Sequence, residues 1–144
     1  MRQRLTIPSV IVTVFLVLVG CQDNGNKDAP TKVAIAWVHA EVQQDEAKMW
    51  ELLAEKSKVL DREDEADHTF SIDHMGITAW QAGAERYFYE VSYEHPETNE
   101  VIIEQMEIIR TQEGWKRTEY ADVKDFESRV KDLQPEVLKE MYAP

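Results

Sequence analysis

General acid–base chemistry asks for a carboxyl or imidazole held against a phenol. In this 144-residue chain His39, Asp73, His74 and Tyr89 are of the right types. His39 falls between apolar Val38 and Ala40, where an imidazole serves equally well as a half-buried helix residue bonded to a neighbour. Asp73 and His74 stand at a bent strand and Tyr89 within the next strand, and no motif spacing ties the four together. Asp67-His68 and Asp73-His74, with Glu63, Asp64 and Glu65 nearby, are donors that suit zinc or manganese. Their spacing matches no closed site and the run lacks the glycine on which a calcium loop turns. It reads as a solvated acidic loop, so neither a metal nor a cofactor is expected. The chain has no phosphate-cradling glycine loop, no His-Glu-x-x-His and no Gly-x-Ser-x-Gly.

The elements that would position these residues follow from periodicity. Val33, Ala36, Trp37 and Ala40 recur at helical spacing from about Thr31, and Ile35, Val38 and Val42 widen the apolar face. Asp45 is placed to cap a second helix that carries Met49, Trp50, Leu52 and Leu53 and runs to about Lys58. Phe70 and Ile72 alternate with polar residues, and Ile77 to Trp80 continue a bent strand past Gly76, a residue that often marks a bulge. Arg86 to Glu94 is a strand with Tyr87, Tyr89, Val91 and Tyr93 on one face and Phe88, Glu90, Ser92 and Glu94 on the other. Short turns at Pro96 to Asn99 and Gln112 to Gly114 join it to strands Val101 to Thr111 and Trp115 to Tyr120, which makes the three antiparallel neighbours. Asp122 then caps a closing helix with Val123, Phe126, Val130 and Leu133 inward. Pro135 stops that helix or starts another carrying Val137, Leu138 and Met141. The pattern is that of an α+β domain.

The amino terminus reads as an address. Arg2 and Arg4 precede an apolar run over residues 5–19 that is too short for a comfortable membrane span and has the layout of an export signal. Leu18-Val19-Gly20-Cys21 resembles the bacterial lipobox, in which the cysteine receives a diacylglyceryl group and the signal is cut between Gly20 and Cys21. The resemblance implies a signal over 1–20, a lipidated cysteine and flexible tether over 21–30, and one domain over 31–144. It also implies a membrane partner, held through a diacylglyceryl anchor at Cys21, and a domain that faces outside the cytoplasm. Two acyl chains hold where one is marginal. Cys21 is the only cysteine, so disulfides, thiolate metal sites and cysteine nucleophiles are excluded from the folded domain.

The formal charge is −12, and loss of residues 1–20 removes two of the 16 basic residues and none of the 28 acidic ones, leaving −14. Without a clustered Lys/Arg face, nucleic acid is not an expected partner. The acidity serves solubility and standoff from an anionic membrane, or else a cationic ligand.

Ala36-Trp37-x-x-Ala40, followed by Asp45, Met49 and Leu52-Leu53, is similar to the opening helix pair of the nuclear transport factor two-like superfamily. Glu113-Gly114-Trp115-Lys116 resembles the start of its last strand. The resemblance spans roughly residues 32 to 121. It implies N-terminal helices packed on a strongly curved antiparallel sheet, here with an extra C-terminal helix, and a cone-shaped pocket that Trp37, Tyr87, Tyr89 and Tyr93 could line. Isomerases of the superfamily place a tyrosine and a carboxylic acid in one apolar cavity, while other members only bind. The expected role is therefore a non-catalytic binding or interaction module, with a ligand carrier or isomerase- or cyclase-like enzyme as the alternative. Ile102, Met106 and Ile108 against Val101, Ile103 and Ile109 leave both faces of the third strand partly apolar, which suggests a homodimer or protein partner through the sheet.

Overall fold

The computed structural model describes residues 28–142. The signal, the lipobox and most of the tether lie outside the described residues. The described chain is α+β: two helices, an open sheet of five antiparallel strands in the order β4-β3-β2-β1-β5, and a short third helix.

Helix α1 spans Asp28–Val42, three residues earlier than the apolar period indicated. Pro30 is buried in its first turn, where a missing N–H costs nothing. The helix ends when Gln44 takes a left-handed conformation and the Asp45 N–H reaches the Ala40 carbonyl at 2.8 Å, a Schellman closure. Asp45 caps α2 (Glu46–Leu52) as the sequence indicated, accepting the Lys48 N–H at 2.8 Å. Helix α2 stops at Leu52 instead of Lys58. Leu53 bridges in parallel to Arg117, the Ala54 N–H donates to the Arg117 carbonyl at 2.8 Å, and Lys56 donates to the Trp50 and Leu53 carbonyls. A strand edge and a lysine thus take over bonds that a longer helix would have made internally.

Strand β1 spans Met75–Gly83, β2 Arg86–Glu94, β3 Val101–Thr111 and β4 Gly114–Arg117. Strands β2 and β3 lie where the alternation put them. Phe70 and Ile72 belong to no strand; they pack on the core from the loop before β1. Gly76 is not a bulge either: it pairs with Ser92 in regular register, and a Cβ there would come within 2.7 Å of Ser92 Oγ and 3.2 Å of Met141 Cβ. Close approach explains this glycine.

The C-terminal expectation needs the largest correction. The closing helix, α3, is only Phe126–Val130, and Pro135–Lys139 is a strand, β5, that pairs antiparallel with β1. Val137 and Leu138 fall on a strand because β1 offers an unpaired edge whose bonds outweigh a five-residue helical preference.

The main core lies between α1, α2 and the face carrying Tyr87, Tyr89, Val91 and Tyr93, joined by Trp37, Met49, Leu53, Met106 and Ile108. On the opposite face a smaller cluster of Phe88, Val123, Phe126 and Val130, with Trp80 and Leu133 at its border, sits under α3. Part of the outer sheet is therefore covered by the chain itself. Val101 and Ile103 stay exposed, each at 54%.

Candidate functional site

The residues nominated from sequence are dispersed. Asp73 and His74 line a surface hollow of about 460 Å³ with Glu94, and the His74 Nδ1 lies 2.6 Å from Glu94 Oε2. Tyr89 is fully buried, with its hydroxyl 3.1 Å from Thr31 Oγ1, and burial pushes its phenol up to about 12, so it stays protonated. Tyr87 and Tyr89 border a second hollow with Leu133 and Leu138, beneath β5. His39 is half-buried on α1 and borders neither hollow. Three of the four thus fall into two separate places, and the fourth into none.

Trp37, nominated as pocket lining, is a core residue at 1% exposure. The Arg117 guanidinium lies over its ring at 4.1 Å and Tyr120 meets it edge-on at 6.1 Å. Its indole N–H is buried without an acceptor, a cost of about 1–3 kcal/mol.

A site unforeseen in the sequence opens where α1 ends. This hollow, about 440 Å³ in volume, is bordered by Glu41, Tyr93, His95, Ile102, Glu104, Arg117, Tyr120 and Asp122. Each side chain comes from a different device. Glu41 sits in the last turn of α1, Tyr93 near the end of β2 and Glu104 on the inward face of β3. Arg117 closes β4, its backbone pinned by Leu53 and Ala54. Asp122 follows β4, and its Oδ1 accepts the Gln105 N–H at 3.0 Å, which fixes it beside β3.

Arg117, 2% exposed, organises this ensemble. Its Nη1 donates to Glu104 Oε2 at 3.0 Å, its Nε donates to the Glu119 carbonyl at 2.7 Å, and Nη2 lies 3.7 Å from Asp122 Oδ1. Tyr93 donates its hydroxyl to Glu104 Oε1 at 3.3 Å. The buried Glu104 carboxylate is thereby paired and hydrogen-bonded, the condition under which a charge survives burial.

Glu41 is the member under tension. Desolvation, a hydrogen bond with Glu104 and the Glu104 charge raise its carboxyl from 4.5 to about 8, with Arg117 opposing. Glu41 is exposed by total residue area, yet its carboxyl is desolvated by its neighbours. The second description governs protonation, because it concerns the atoms that titrate. Near neutral pH the Glu41 carboxyl holds a proton and the hollow carries Glu104 and Asp122 against Arg117. Once Glu41 ionises, the hollow carries three carboxylates against one guanidinium, two more negative charges than positive ones.

A sequence signal for the site existed in its alternation. On β3 the inward residues are Ile102, Glu104, Met106 and Ile108, a carboxylate in an apolar row. Glu41 follows Trp37 by four positions, so it shares the buried side of α1. Among the described residues no group of three or more His, Cys, Asp or Glu is arranged to hold a metal ion. A scan against protein-family models and searches among curated proteins and solved structures found no significant match to this chain.

Proposed function

We propose that this chain is a lipid-anchored extracytoplasmic binding module, a nuclear transport factor two-like domain held to a membrane through Cys21, with the Glu41–Arg117 hollow as its binding site. The observation that carries the reading is the combination at that hollow of a buried, hydrogen-bonded Arg117–Glu104 pair with a proton-bearing Glu41 at its opening. A framework spent on its own hydrogen bonds is suited to hold a ligand in one orientation. The packed interior of Trp37, Tyr89, Tyr93, Met106 and Ile108 favours binding at this opening over chemistry in a deep cavity.

A screen of charged and neutral small molecules by thermal shift, on the full chain in non-ionic micelles, tests the reading. A ligand at 100 times its Kd is expected to stabilise the fold by about 2.7 kcal/mol, and mass spectrometry is expected to recover it unchanged. Conversion of the ligand would replace this reading with the enzymatic one, in which protonated Glu41 beside Tyr93 acts as donor. A screen without any stabilising compound would leave a protein partner as the remaining binding role. Val101 and Ile103 are then the apolar contact on the outer sheet, and that proposal includes a second copy of the chain. Light scattering at micromolar concentration that gives the mass of one chain would remove the homodimer.

A further inference from the structure

We infer that the ligand class of the Glu41–Arg117 hollow is a small organic monocation, an ammonium on an apolar body, which pairs with the Glu41 carboxylate. This rests on the hollow's being a binding site. The first argument is charge. Lining the hollow with Glu41 are Tyr93 of β2 and His95 just beyond it, Glu104 of β3, Arg117 of β4, and Tyr120 and Asp122 from the segment after β4. With Glu41 ionised, three carboxylates meet one guanidinium, and among the described residues no cation lies within ion-pair distance of Glu41.

Arg117 cannot serve an anionic ligand in compensation. One face of its guanidinium lies on Trp37, and its nitrogens are committed to Glu119, Glu104 and the neighbourhood of Asp122. An anion at Nη2 would sit beside the Glu104 and Asp122 carboxylates, and one at Nη1 would break the buried pair and leave Glu104 unpaired, the costly outcome for a desolvated charge. A neutral ligand would leave the proton where it is.

The walls, in which Ile103 takes part only through its backbone side because its side chain faces the outer sheet, supply the rest of the specificity. Val42, Ile102 and Ala121 present aliphatic surface, and Tyr93 and Tyr120 present phenol rings of the kind that favour a cation beside an apolar group. This separates the hollow from the acidic loop at Asp61 to Asp67, whose residues are all exposed. The ammonium N–H groups donate to the Glu41 carboxylate, and the proton that Glu41 held passes to the buffer. One positive charge enters as one leaves.

Isothermal titration calorimetry on the full chain in non-ionic micelles, with protein-free micelles as blank, tests this using phenethylamine, phenethyl alcohol and phenylacetate. Phenethylamine is expected to bind about tenfold tighter than the alcohol, the scale of one hydrogen bond to a charged group. Runs near neutral pH in two buffers of different ionisation enthalpy are expected to show proton release approaching one per ligand. Glu41→Gln, which keeps size and a hydrogen-bond donor, is expected to weaken the amine about tenfold and abolish the release. Equal affinity for amine and alcohol, preference for phenylacetate, or amine binding that Glu41→Gln leaves unchanged would each overturn the ligand class while leaving a binding site in place. Heat from none of the three probes overturns the ligand class too; the thermal-shift screen then decides separately whether the hollow binds anything.

Discussion

A buried arginine and a buried glutamate look like an expensive choice for a core that holds only 21 buried hydrophobic residues among the described ones. Their cost becomes visible only when one partner is removed. Arg117→Met is expected to destabilise the chain by about 3–5 kcal/mol, because Glu104 is left charged, desolvated and unpaired. The double variant Arg117→Met/Glu104→Leu is expected to regain most of that loss in urea unfolding. If the double variant is as unstable as the single one, Arg117 acts by filling space over Trp37 and not by pairing. Glu41 makes a separate, pH-dependent contribution. The folded chain holds this proton more tightly than the unfolded chain, so the contribution is full below about pH 4.5 and is lost as pH rises through about 8. Glu41→Gln cannot ionise, and the fall in urea midpoint across that window is expected to be shallower than in the wild type. An unchanged fall would place the titrating group elsewhere.

Among the elements, the helices and inner strands were legible because each has a periodic face and a local cap. Tyr87, Tyr89, Val91 and Tyr93 alternate over the whole of β2, and all four are buried as that alternation requires. Asp45 announces α2 through its side chain, and the structure shows the bond. Where the reading failed, a distant edge decided. Helix α2 ends early because Leu53 and Ala54 meet Arg117, and residues after Pro135 form β5 because β1 has an edge to pair. The third helix is shorter than its apolar pattern, and Asp125 precedes it without a side-chain cap bond. It holds by packing Phe126 against Trp80 and Phe88, with ring centroids at 5.4 and 6.1 Å. Phe126→Ala is expected to cost about 3 kcal/mol. Hydrogen exchange should then accelerate in α3 with little change in α1; uniform acceleration would mean that the small cluster is not a separate unit.

For the molecule as a whole, the proposed anchor would tether the amino-terminal end of α1. Helix α1 begins at Asp28, seven residues after Cys21 in the sequence. The helix itself is about 22 Å long from its 15 residues, with Glu41 in its last turn. The hollow lies at the end of α1 farther along the chain from the proposed anchor. A negatively charged domain favours the arrival of cations there over anions. Cys21→Ser is expected to move the protein from the membrane to the soluble fraction and to remove the acyl mass. A variant that stays membrane-bound would refute the anchoring.

By itself the sequence determined the α+β class, the extents and antiparallel adjacency of β2 and β3, the cap at Asp45 and the turns at Asn99 and Gly114. These depend on alternation, helical spacing and backbone conformations that act over a few residues. The nomination of Asp73, His74, His39 and Tyr89 rested on residue type, which says nothing about distance across a fold. Only the tertiary structure decided that Glu41, Glu104, Arg117 and Asp122 meet at one opening. They come from four separate stretches of chain, and the charge of each reads as ordinary surface polarity until packing removes the water around it.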